Sequence, residues 1–162
     1  MEGPRIDTAA APAGLDVPRV LLIDPDQHTR AAFVTALAAG GCQVVAALRT
    51  GLTAVYAVRQ HRPTVIVLDL DLRPAGVWGG LALAAALCKE APAVPVLALV
   101  RSELTELAEL AERATRAGAR RLLPKEDVDG LVTAVHAEHA AQVQAASLQG
   151  GSRAGMPGVG GR

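Results

Sequence analysis

The chain has 162 residues, enough for one domain of about 120–130 residues plus tails. Its 16 Lys and Arg balance 16 Asp and Glu, which leaves no basic footprint for DNA or an anionic membrane. No stretch approaches the roughly 20 apolar residues that span a bilayer, and Met1 to Pro18 lacks the basic start and apolar core of a signal peptide. A cytoplasmic protein with no membrane association is therefore expected. Phe33, Tyr56 and Trp78 are the single copies of their kinds, so the core must be aliphatic. Cys42 and Cys88 sit in apolar surroundings without a partner at short spacing and read as buried free thiols of a reducing compartment.

In chain order, residues 1–18 are punctuated by Ala, Pro and Gly and read as a disordered tail. Arg19 to Ile23 is a first strand. Asp26 can cap a helix from Gln27 to Ala39, which Gly40 and Gly41 stop. Val44 to Leu48 reads as a second strand, Thr53 to His61 as a second helix closed by Pro63, and Val65 to Leu68 as a third strand. A Pro/Gly-rich loop from Leu70 to Gly79 leads into an Ala/Leu helix ending near Glu90. Pro95 opens a fourth strand, Val96 to Val100. The pattern predicts a helix over Glu103 to Arg116, with Leu104, Leu107, Leu110 and Ala114 as its apolar stripe. Its outer face carries the i,i+4 pairs Glu109–Arg113 and Glu112–Arg116. Gly118 ends it. A fifth strand runs to Leu123, and a last helix begins near Glu126 and continues to about Leu148. The segment from Gly150 to Arg162 is Gly-rich and is expected to be disordered.

Five βα units in alternation predict an α/β fold, a doubly wound five-stranded parallel sheet with helices on both faces. Two of the apolar runs end in aspartate, Val20-Leu21-Leu22-Ile23-Asp24 and Val65-Ile66-Val67-Leu68-Asp69, and a third, Leu122-Leu123-Pro124, ends in Lys125. Side chains just past the carboxyl ends of parallel strands converge on one crevice. Two carboxylates and one ammonium there make a site for a divalent metal and a phosphoryl group.

With the strands so placed, residues 19–140 resemble the receiver domain of bacterial two-component response regulators, a flavodoxin-like fold. Residues 141–162 are then a helix extension and tail. Arg62-Pro63-Thr64-Val65-Ile66-Val67-Leu68-Asp69 is similar to that family's third strand with its phospho-accepting aspartate, and Gly118-Ala119-Arg120-Arg121-Leu122-Leu123-Pro124-Lys125-Glu126 to its fifth strand with the active-site lysine. Asp24 falls on the first residue of the family's acidic pair. The resemblance implies a signalling protein of a phosphorelay rather than an enzyme. Asp69 would take a phosphoryl group from a histidine kinase or phosphotransfer protein, with Lys125 on a phosphoryl oxygen. Asp24 and Asp69 would hold Mg2+, and a downstream protein partner would read the result.

The sequence departs from that pattern. Pro25 replaces the second acid of the pair and has no side-chain oxygen, so magnesium binding is expected to be weak. Asp26 stands next in line, although the helix cap accounts for it. The switch positions are degenerate, with Val100 where the family carries a hydroxyl and Leu122 where it carries an aromatic. Ser102 offers an alternative hydroxyl or a helix cap. Arg101 can lie across the mouth toward Asp69 or Asp71, or point to solvent. The loop after Asp69 is long and carries Arg73, Pro74 and Trp78. Trp78 reads as packing over the third helix, or as a partner anchor.

A second reading follows from these losses: a pseudo-receiver that binds a partner protein without phosphate, through the face formed by the fourth helix, fifth strand and fifth helix. A small α/β enzyme is a weaker third, since no second catalytic constellation is present. His28, His61, His136 and His139 read as solvated surface residues without further metal ligands nearby. The long last helix would serve a homodimer or a link to an output domain. No helix-turn-helix follows it, so direct DNA binding is not expected.

Overall fold

β-Branched and leucine-rich runs of four to six residues, bounded by Pro, Gly and charged side chains, form strands, and the alanine-rich stretches between them form helices. The computed structural model describes residues 17–103 and 105–151. Most of both expected tails, together with Leu104, lies outside the described residues. The elements are β1 (Arg19–Ile23), α1 (Gln27–Ala39), β2 (Gln43–Leu48), α2 (Ala54–His61), β3 (Val65–Asp69), α3 (Gly76–Glu90), β4 (Val96–Val100), α4 (Leu107–Arg116), β5 (Arg121–Pro124) and α5 (Val128–Gly151). All strand pairs are parallel, in the order β2-β1-β3-β4-β5. The expected doubly wound sheet is the fold observed.

Strand side chains alternate between the faces, so each apolar run feeds two cores. Leu21, Ile23, Ile66, Leu68, Val96 and Ala98 point to one side, where Ala57 and Val58 of α2, Leu87 of α3 and Leu110 of α4 meet them. Val20, Leu22, Val65, Val67, Leu97 and Leu99 point to the other, onto Phe33 and Leu37 of α1 and Leu131 and Val135 of α5. Every residue of β3 and β4 is buried, as a central strand covered on both faces requires. Among the described residues no helix is long and apolar enough to cross a membrane.

Three helix starts differ from the sequence expectation by two residues or more. α3 begins at Gly76, ahead of Gly79, so Trp78 lies in its first turn and not in a loop. α4 begins at Leu107 instead of Glu103, after a run of turns, and Ser102 therefore caps no helix. Glu106 at its start makes no side-chain cap bond. α5 begins at Val128, where Asp127 Oδ1 accepts from Gly130 N at 2.9 Å, and it continues to Gly151.

Gly80 positions the chain just past β3. A Cβ there would lie 2.1 Å from the Leu70 carbonyl oxygen, so only glycine lets α3 press against the residue that follows Asp69. Gly80→Ala should cost about 1–3 kcal/mol through overpacking against backbone. Thermal unfolding followed by circular dichroism should show Tm lowered by roughly 3–10 °C, and an unchanged Tm would contradict this packing.

Candidate functional site

Parallel pairing brings the carboxyl ends of β1 and β3 side by side, with Ile23 opposite Leu68. Asp24, immediately after β1, and Asp69, the last residue of β3, therefore enter one crevice. The strand order reverses there, because β1 leads outward to β2 while β3 leads the other way to β4. Ligands of open α/β sheets bind at such a switch point. Lys125 follows β5, and its backbone N–H donates to the Val100 carbonyl at 2.7 Å. From there its side chain crosses the end of β4 to reach both acids.

Lys125 Nζ donates to Asp69 Oδ2 at 2.5 Å and lies 3.1 Å from Asp24 Oδ2. The second contact is not aligned as a hydrogen bond, which leaves Asp24 Oδ2 buried without a donor. The remaining carboxylate oxygens are held by backbone: Asp26 N donates to Asp24 Oδ1 at 2.8 Å, and Asp71 N to Asp69 Oδ1 at 3.0 Å. Asp24 and Asp69 are 0% and 3% exposed. Burial pushes the Asp24 carboxyl above its usual range, against the opposing pull of Lys125. For Lys125 burial works against the charge, but the hydrogen bond to Asp69 and the nearby Asp24 carboxylate outweigh it and raise the ammonium pKa. Arg30, from α1, donates to the Asp24 backbone carbonyl at 2.8 Å and braces the first acid.

The structure thus brings Asp24, Asp69 and Lys125 together. Asp26 instead caps α1, its Oδ1 accepting from Thr29 N at 2.7 Å. That bond holds its carboxyl below the ordinary range. Arg101 is exposed and pairs with neither Asp69 nor Asp71; Asp71 has Arg73 at 3.6 Å. Ser102 is exposed, and its backbone N–H faces the Glu126 carboxylate at 3.3 Å. Val100 is buried at the end of β4, and Leu122 is half-buried on β5. Neither carries a polar atom.

Trp78 is 69% exposed. It does not pack down over α3 but lies under the guanidinium of Arg113 from α4, 4.5 Å from the ring centroid. Glu109 in turn holds Arg113 Nε at 3.1 Å. The i,i+4 spacing announced the Glu–Arg pair, whereas nothing local announced the tryptophan beneath it.

The histidines correct the sequence reading at one end of α5. His139 is buried, with Nδ1 2.9 Å from Thr64 Oγ1. His136 is exposed, and its Nε2 lies 2.6 Å from the Gly40 carbonyl. A solvated face was expected, but α5 lies flat on the sheet and turns position 139 inward beside Val135. Cys42 is buried as expected, while Cys88 is half-buried.

The family model of the response regulator receiver domain matches residues 20–136. The chain belongs to that family. Solved structures agree on the fold. The signal receiver domain of a modulated diguanylate cyclase from Desulfovibrio desulfuricans G20, described as an example of alternate folding, is 23% identical, with 80% of this chain and 98% of that one covered and a TM-score of 0.67. The receiver domain of the Francisella response regulator 1452 is 23% identical, covers 76% of this chain and 98% of its own, and has a TM-score of 0.65. A CheY-like receiver domain protein from Methanospirillum hungatei JF-1 is 17% identical, with 79% and 98% covered and a TM-score of 0.68. No curated protein matches the sequence.

Receiver domains typically bind Mg2+ at the acidic pocket, and the residues present here fit such an ion. Among the described residues no cluster of three or more metal-binding side chains forms. However, magnesium is commonly held by one or two carboxylates while it keeps several waters. Asp24 Oδ2, buried and without a hydrogen-bond donor, and Asp69 Oδ2 are hard oxygen donors of that kind. Pro25 withholds a further one. Pro25→Asp should tighten magnesium binding roughly tenfold by adding a carboxylate beside Asp24. Magnesium titration followed by Trp78 fluorescence and thermal shift checks this, and an unchanged affinity would displace the cation from Asp24 and Asp69.

Proposed function

We propose that this receiver protein accepts a phosphoryl group on Asp69 from a histidine kinase or phosphotransfer protein in the cytoplasm. The observation that supports this best is the 2.5 Å contact of Lys125 with the Asp69 carboxylate, at the switch point of the sheet.

An Asp69 oxygen attacks phosphorus, and the bond from phosphorus to the donor's imidazole nitrogen breaks, leaving the electron pair on the imidazole. Asp71 N holds Asp69 Oδ1 and so orients the carboxylate. Lys125 transfers its hydrogen bond from Asp69 Oδ2 to the incoming phosphoryl oxygens, whose charge it then offsets. A bound magnesium ion would supply further neutralisation of those oxygens from Asp24 and Asp69. Because Lys125 is 10% exposed and already seated, part of that neutralisation is built into the chain.

A second reading keeps the fold and drops the phosphate. Pro25, Val100 and Leu122 favour it, since they remove a ligand, a hydroxyl and a switch aromatic together. In that reading α4, β5 and α5 bind a downstream partner constitutively, or α5 joins two copies. Retention of Asp24, Asp69 and Lys125 in contact supports phosphorylation as the first reading, with its coupling to the α4–β5–α5 face impaired.

Intact-mass spectrometry after incubation with magnesium and acetyl phosphate separates the two. One phosphoryl adduct is expected, absent from Asp69→Asn. No adduct under conditions that preserve acyl phosphates would sink the first reading.

A further inference from the structure

A groove of about 1270 Å³ crosses the opposite end of the sheet, beneath the last turns of α5. Its floor is the amino-terminal edge of the strands, so it shares nothing with the Asp69 crevice. Arg19 opens β1, Arg62 lies three residues before β3 begins, and Arg120 immediately precedes β5. All three line the groove, against a single carboxylate, Glu138. In a chain whose charges balance overall, this is a local concentration of positive charge.

Two of the three arginines make no ion pair among the described residues, and the third shares its partner. Among the described residues Arg19 and Arg62 pair with no carboxylate. Arg19 is held in place by neutral acceptors: its Nη2 donates to the His61 carbonyl at 2.6 Å, Nη1 to Gln43 Oε1 at 3.2 Å and Nε to the Arg62 carbonyl at 3.5 Å. A guanidinium has five N–H donors, so it is oriented yet keeps capacity for an anion. Arg120 shares Glu138, at 3.7 Å, with Arg121, which holds the same carboxylate at 2.8 Å. The facing wall is uncharged. From Ala140 to Gly151 α5 has no ionisable side chain, and Val143, Ala145 and Ala146 line the groove.

Strand order sets the spacing. β1 and β5 are separated by three sheet intervals, roughly 14 Å at ~4.8 Å each, which an extended chain rising ~3.3 Å per residue covers in about four residues. We infer that this groove docks an extended acidic segment of a partner protein, with carboxylates about four residues apart and small apolar side chains between them. One carboxylate would meet Arg19 and Arg62, the next Arg120, and the apolar side chains the Val143–Ala146 wall.

The test uses the full chain and a fluorescein-labelled peptide with Glu at every fourth position in an Ala/Val background, read by anisotropy. A Lys-for-Glu peptide is the control. Saturable, salt-sensitive binding of the acidic peptide is expected, retained in Asp69→Asn and weakened about tenfold or more in Arg62→Gln/Arg120→Gln. Both arginines are exposed, and the circular dichroism of that variant should match the parent. Ala146→Glu, which leaves every arginine in place, should weaken binding as well. Equal binding of the lysine peptide, full affinity in the double variant, or no saturable binding would overturn the proposal. So would pyrophosphate binding tighter than the peptide, which assigns the groove to phosphorylated small molecules. A dimer in solution that seals the groove would assign it to a second copy and overturn it equally.

Discussion

Two carboxylates stripped of water at adjacent strand ends are the constraint on which the functional end of this molecule turns. Burial disfavours the charge on Asp24, and the neighbouring Asp69 carboxylate adds to that cost. The ammonium of Lys125, delivered from two strands away across the end of β4, makes the arrangement tolerable. It also means that whatever enters the crevice must share or displace that ammonium. In the proposed reaction a phosphoryl group would bring its own oxygens for Lys125 to meet.

The remainder of the fold serves this geometry. Alternation along the strands sends every second residue into a different core, so the sheet is packed on both faces. Backbone N–H groups at Asp26 and Asp71 fix one oxygen of each acid. Gly80 allows α3 to sit hard against Leu70. Polar groups at the other end of the sheet are organised separately, by Arg19, Thr64, Glu138 and His139, with no contact to the triad.

Much of this was legible from the chain. Strands that are fully buried and end in a charged residue carry a strong local signal, and β1 and β4 have the bounds expected of them. The meeting of Asp24, Asp69 and Lys125 followed from topology, since parallel strands deliver their ends to one edge. Contacts decided by tertiary packing were not legible. His139 looks like a polar residue on a helix, and only the seating of α5 on β3 turns it toward Thr64. The apolar stripe suggests an earlier start for α4 than Leu107, and the Glu106 side chain at the observed start makes no cap bond. Trp78 read as a loop residue because Gly76 and Gly79 mimic a turn, yet both are accommodated in α3. Its stacking under Arg113 joins residues 35 positions apart in sequence, beyond any local pattern.

We propose that Asp69 and Lys125 form a working phosphoryl receptor whose usual route to the α4–β5–α5 face is impaired. Amide chemical-shift mapping of the full chain, before and after addition of beryllofluoride with magnesium, tests it most directly. Large shifts are expected around Asp24, Asp69, Asp71 and Lys125, fading before the outer face of α4 and α5. Silence around Asp69 would contradict the receptor, and shifts spreading across α4, β5 and α5 would contradict the impaired switch.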